Sequence, residues 1–85
     1  MYILRLGSSG PLVKLLQSVL TNLGYNVGSI DGVFGLKTQA AVLEYQKNNG
    51  LKADGIVGVN TWNSLEKYIL GSLHILLMKE IPYLK

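Results

Sequence analysis

Between residues 12 and 23 the apolar positions fall into helical order, with Leu12, Leu15, Leu16, Val19, Leu20 and Leu23 recurring at steps of three and four. This is the stripe of an amphipathic helix, and it leaves Lys14, Gln17, Ser18, Thr21 and Asn22 on the outer face. Pro11 suits the first helical turn, where its missing N–H is not needed, and Gly24 suits the position just past the end, so the pattern predicts a helix from about Pro11 to Leu23. A second helix is predicted from about Leu36 to Asn49, where Ala41, Val42, Tyr45 and Asn49 follow at helical spacing and Gly50 closes the run. A third is predicted from about Val59 to Leu70, with Trp62, Leu65 and Ile69 along one edge, Tyr68 beside them and Gly71 as its stop. Ahead of the helices, residues 1–9 read as an arm that packs across helix ends through Ile3, Leu4 and Leu6.

The segments between these helices are written to one formula. Asp31-Gly32 is followed by Gly35, Thr38 and Tyr45, and the same five residue types return 23 positions later as Asp54, Gly55, Gly58, Thr61 and Tyr68. In each case Asp can accept hydrogen bonds from N–H groups just ahead of it, and the following Gly tolerates a positive φ, so the pair makes a turn. Gly35 and Gly58 stand at helix N-caps, while the hydroxyls of Thr38 and Thr61 can bond back to the turn or to a preceding helical carbonyl. Gly7 and Gly10 repeat the glycine spacing without the Asp, which is replaced by Leu6. Three turn-plus-helix units therefore predict an all-α fold, a compact three-helix bundle over residues 1–71. Residues 72–85 form an apolar extension, with Leu73, Ile75, Leu76, Leu77, Met78, Ile81, Tyr83 and Leu84. It is expected either to pack on the bundle, as a short helix ending before Pro82, or to dock a neighbouring domain.

Composition narrows the chemistry. With 85 residues, 48% of them hydrophobic, and no cysteine, stability must come from helix packing rather than disulfides or thiolate-bound zinc. The net charge of +3 comes from scattered basic residues and marks no nucleic-acid groove. A recognition helix for DNA would need a basic, polar face, and the strands that accompany a nucleic-acid-clamping Gly-x-x-Gly loop are missing. The N-terminus lacks the basic opening and long apolar run of a secretory signal, and no stretch is long enough to span a membrane. Catalysis is disfavoured too. A single histidine, His74, cannot supply a zinc site; Asp31 and Asp54 are committed to turns, and Glu44, Glu66 and Glu80 read as solvated helix positions.

Several motifs then line up along most of the chain. They are Gly7, Gly10, Val13, Leu16 and Gln17; Leu23-Gly24-Tyr25; Asp31, Gly32, Gly35, Thr38, Ala41, Val42, Tyr45 and Gln46; and Asp54, Gly55, Gly58, Thr61 and Leu65. In this pattern residues 5–70 resemble the peptidoglycan-binding domain that serves as an accessory module in bacterial and phage cell-wall hydrolases. The resemblance implies a three-helix fold and noncatalytic binding of peptidoglycan, with no cofactor, in the service of a catalytic domain in a longer exported chain. It implies a place outside the cell, in the cell wall or spore envelope. The alternative is a protein-docking or pro-domain-like module, although the zinc-blocking cysteine of metalloprotease pro-domains is absent.

Peptidoglycan offers amino sugars, short peptides and free carboxylates, so a binder needs aromatic faces, amides and a few cations. The second turn and the helix it starts carry the fuller set, Phe34, Lys37, Gln39, Tyr45 and Gln46, and these are the expected ligand-binding residues. Gln17 and Gln46 admit a second reading, in which a long amide holds a neighbouring loop through its backbone groups.

Overall fold

The computed structural model describes the backbone of residues 3–80 and the side chains of residues 3–69. The chain folds into three helices, α1 (Pro11–Asn22), α2 (Leu36–Asn48) and α3 (Val59–Glu80). Among the described residues there is no named strand, only two isolated antiparallel bridges, Leu4 with Val57 and Ser9 with Val33.

The first two helices stop for the same local reason. Past α1, Gly24 takes φ +97°; its N–H bonds Thr21 O at 3.0 Å and the N–H of Tyr25 bonds Leu20 O at 2.9 Å. Past α2, Gly50 takes φ +69°, and Leu51 N donates to Gln46 O at 2.8 Å. Both are left-handed glycine caps that satisfy carbonyls the helix leaves open. The stop expected at Gly71 is not observed, because α3 continues through it to Glu80. Glycine permits a left-handed exit but does not impose one. Its cost inside a helix is only about 1 kcal/mol, and the leucines that follow favour helix. The expected packing of residues 72–85 on the bundle, and the break at Pro82, lie outside the described side chains and backbone.

The buried face of α1 is turned from the one its leucines suggest. Val13, Leu16, Gln17, Val19 and Leu20 are buried, whereas Leu15 is 38% exposed. Gln17, expected on the outer face, is interior at 1% exposure. The α2 face has the same form, Thr38, Ala41, Val42, Tyr45 and Gln46. In both helices a glutamine sits where the 3–4 spacing points inward. An amide can occupy such a place only if the fold supplies partners for all its polar atoms.

Phe34, Tyr45, Trp62 and Leu65 join these faces in one core, and Tyr25 meets the Tyr45 ring edge-on at 5.7 Å. The Tyr45 hydroxyl is paired with the Ser64 hydroxyl. The arm closes the far side. Leu4 exchanges two backbone hydrogen bonds with Val57, at 3.1 and 2.8 Å. Gly7 N bonds Phe34 O, Phe34 N bonds Ser8 O and Gly10 N bonds Gly32 O, all within 2.9 Å. Of its three apolar residues only Leu4 is buried, while Ile3 and Leu6 stay exposed. The arm is thus held by backbone pairing with both later turns more than by side-chain anchoring. No helix among the described residues is long and apolar enough to cross a membrane.

Gly32 and Gly55 adopt φ +77° and +74°, and a Cβ on Gly32 would stand 3.3 Å from the Gly10 carbonyl oxygen. Gly32→Val and Gly55→Val are each expected to lower stability by about 1–3 kcal/mol in denaturant melts. Gly35, in contrast, is an N-cap in extended conformation with no side-chain cap bond. Gly35→Ser supplies that bond and is expected to stabilise by a few tenths of a kcal/mol, roughly the cap difference between the two residues.

Candidate functional site

The two buried glutamines build matching polar centres. Gln17 Nε2 donates to Asp31 Oδ1 at 3.2 Å, to Val33 O at 2.9 Å and to Thr38 Oγ1 at 3.0 Å. Its Oε1 accepts from Gly32 N at 2.9 Å. Gln46 repeats this on the next turn: Nε2 reaches Asp54 Oδ1 at 3.1 Å, Ile56 O at 2.9 Å and Thr61 Oγ1 at 3.1 Å, and Oε1 accepts from Gly55 N at 2.9 Å. An amide nitrogen has two protons, so three acceptors must share them. Each glutamine therefore gathers a turn carboxylate, a turn carbonyl and the first-turn threonine of the next helix around one nitrogen. The threonines are acceptors for the amide, a partner not foreseen for them. No buried side-chain polar atom among the described residues lacks a partner.

Asp31 Oδ1 also accepts from Val33 N, and Asp54 Oδ1 from Ile56 N, both at 2.9 Å. These backbone N–H bonds are the chief reason both carboxyls sit below the ordinary carboxylate range, with the glutamine amide adding to the effect. Lys52 contributes a smaller Coulombic share at Asp54.

The clamp at the second turn shapes a groove of about 410 Å³, walled by Val27, Gly28 and Ser29 of the linker, Asp31, Val33 and Gly35 of the turn, and Leu36, Lys37 and Thr38 of the first turn of α2, with Gln17 also lining it. Val33 and Leu36 form an apolar lip, 53% and 73% exposed. Lys37 lies across Gly28, where a Cβ would stand 2.9 Å from Lys37 Cδ. The absence of that Cβ lets the lysine stem lie along the groove with its ammonium toward solvent.

Of the five expected ligand-binding residues, the structure brings only Lys37 to this groove. Phe34 and Tyr45 are each 1% exposed and Gln46 is fully buried. Their rings fill the core, and the Gln46 amide is saturated by the third turn, so none of the three presents a face to a ligand. Gln39 is half-buried and leans on the third turn, with Cγ 3.2 Å from where a Gly55 Cβ would be. The groove residues not picked out from the sequence are Val27, Gly28, Ser29, Val33 and Leu36. One signal for them was present: Leu36 is apolar at the first helical position yet lies off the buried stripe, a place packing does not require.

Comparison with known proteins follows the same residues. Residues 9–65, about two thirds of the chain, match a family model described as "Putative peptidoglycan binding domain". The chain is 48% identical over 63 residues to N-acetylmuramoyl-L-alanine amidase CwlM of Mycobacterium tuberculosis, covering 74% of this chain and 15% of that protein. It superposes with TM-score 0.72 and 55% identity on a peptidoglycan-binding protein from Clostridioides difficile, solved in complex with glutamine hydroxamate, covering 75% of this chain and 40% of that one. The SleB N-terminal domain matches with TM-score 0.75 at 39% identity, over 79% of this chain and 92% of that domain. The chain spans half or less of the length of the curated relatives it matches.

Gln46→Leu should leave the Gly55 N–H and the Thr61 hydroxyl without their partner, at a cost of roughly 1–3 kcal/mol for each orphaned buried group. Gln17→Leu should act alike at Gly32 and Thr38, and chemical denaturation reads both. Because the folded pKa values of Asp31 and Asp54 are depressed, their contribution is fully present above the ordinary carboxylate pKa of about 4 and is lost as pH falls through the lower folded values. Melting temperature is expected to drop below about pH 4 in the parent chain. The Asp31→Asn/Asp54→Asn double variant should show a visibly shallower drop.

Proposed function

This chain belongs to the family of peptidoglycan-binding domains, and from that premise we propose that it holds a longer protein against the bacterial cell wall through the groove at its second turn. The binding is noncatalytic. The match to a family of binding modules over residues 9–65 supports this, and one oxygen of each turn carboxylate, Oδ1, is engaged by a backbone N–H.

The observation that carries the reading is the groove's chemistry. An exposed lysine, an aliphatic lip and a carboxylate surround about 410 Å³, within the roughly 300–1,000 Å³ usual for ligand sites. Sugar rings are commonly held on aromatic faces, but no aromatic residue lines this groove. That favours the peptide part of peptidoglycan over the glycan: a free carboxylate on Lys37, methyl groups on Val33 and Leu36, and an N–H toward Asp31. Such a shallow polar contact is weak alone, and tethering to a hydrolase that acts on the same polymer would multiply it.

We assign residues 1–71 to the binding module and residues 72–85 to an apolar tail that packs on the bundle or docks a neighbouring domain of a longer exported protein, located at the cell wall or spore envelope. A second reading, a docking surface for another domain, draws on the apolar hollow of about 480 Å³ lined by Ile3, Leu4, Ser8, Ser9, Pro11 and Leu12.

The purified chain is expected to sediment with purified sacculi without releasing soluble muropeptides, and full recovery in the supernatant across salt concentrations would refute wall binding. Lys37→Ala should weaken binding about fivefold to tenfold, as expected for losing roughly 1–1.4 kcal/mol of charge-assisted contact. Its stability should stay within about 0.5 kcal/mol of the parent.

A further inference from the structure

The groove at the second turn has a counterpart at the third. A smaller hollow of about 180 Å³ is lined by Leu51, Lys52, Asp54, Ile56, Gly58, Val59, Asn60 and Thr61. Each of these residues lies 23 positions after a residue lining the first groove, the same offset that relates the two turns.

Part of this correspondence is scaffold, since Asp54, Ile56 and Thr61 hold the Gln46 amide as Asp31, Val33 and Thr38 hold Gln17. The remainder is not demanded by the clamp. Val59 is 65% exposed, as Leu36 is 73% exposed, so each hollow keeps an aliphatic residue on its lip that contributes little to the core. Each also keeps one lysine, but from opposite sides. Lys37 stands on the helix side of the first groove, where the second has Asn60; Lys52 stands on the linker side of the second, where the first has Ser29. The cation has changed position while remaining in the hollow. A packing requirement explains neither lysine, because both are exposed.

The two hollows are close. Ser9 bridges to Val33 and Leu4 to Val57, and those arm residues are five positions apart, at most about 18 Å along the arm, so with the width of the two bridges added the bridged points of the two turns lie within about 28 Å of each other. At about 180 Å³ the second hollow falls below the size of an ordinary ligand site and suits only one end of a short peptide.

We propose that the third-turn hollow is a second, weaker peptide subsite, so that one domain engages two carboxylate-bearing peptide ends of the wall at once. Lys52 takes the carboxylate and Val59 and Ile56 provide the apolar contact. This rests on the reading of the first groove as the peptide site. Linking two weak sites raises affinity for a ligand that carries two ends, without any new contact.

The test uses the 85-residue chain, labelled with nitrogen-15, and a purified disaccharide-tetrapeptide as probe. Two sets of amide shifts are expected, one over residues 28–38 and one over 51–61, the second saturating at higher concentration. Lys52→Ala should abolish the second set and spare the first. A glycan-linked muropeptide dimer with two peptides that are not cross-linked, and so two free carboxylate ends, should bind the parent at least tenfold more tightly than the monomer and lose that gain in Lys52→Ala. Shifts confined to residues 28–38 would overturn the second subsite and leave the first groove's role standing. Shifts at 51–61 that vanish in Lys37→Ala would also overturn it, as transmitted changes. Silence in both regions would overturn the first reading and this one together.

Discussion

A buried glutamine amide tolerates no half measures. It brings one acceptor and two donors into the interior, and every one left unpaired costs on the order of 1–3 kcal/mol. Gln17 and Gln46 meet that demand by drawing in an entire turn each, so the turn's carboxylate, carbonyl and N–H and the next helix's threonine converge on one side chain. The partners lie 14 to 21 residues away for Gln17 and 8 to 15 for Gln46. Each helix thereby fixes where the following one begins. In a chain with no disulfide available, this polar fastening does what a covalent staple does in other small domains. It also sets the positive φ of Gly32 and Gly55, because the N–H of each must face the amide oxygen.

Function follows from what the clamp leaves outside. With the turn's polar groups turned inward, the outward side of the same residues becomes a rigid lip above a groove, and Lys37 and Leu36 are displayed from the first turn of α2 rather than from a loose loop. A weak binder of a repetitive polymer gains from such a site, since little ordering entropy is lost on contact and selectivity comes from placement. The same economy holds at the third turn, where the scaffold residues recur and only the lip and the cation differ.

Much of this scaffold was legible in the chain. The helix positions of α1 and α2, the glycine exits at Gly24 and Gly50 and the 23-residue turn formula all rest on local chemistry that a sequence displays. What was not legible is long-range. Gln17 reads as an outer-face residue until its partners at residues 31–38 are folded against it, and then burial costs nothing in lost hydrogen bonds. Tyr45 and Phe34 read equally well as core or binding surface, since an aromatic ring serves both, and only the packing against Tyr25 and the rest of the core decides. Gly71 reads as a stop because glycine ends α1 and α2, yet the backbone of α3 stays helical through it to Glu80. The groove itself is half visible in the sequence: the charge of Lys37 marks it, while exposed aliphatics such as Leu36 and Val33 carry no chemical label.

Native-state hydrogen exchange at the Gly32 and Gly55 amides tests the central claim most directly, because in each turn that N–H is bonded to the glutamine oxygen. If the clamps hold the turns as a unit with the core, both amides exchange only through global unfolding, at the free energy of the slowest amides in α1 and α2. Exchange at the rate of the exposed linker amides, in either turn, would show that the turn opens independently of the core and that the amide clamp is not what organises this fold.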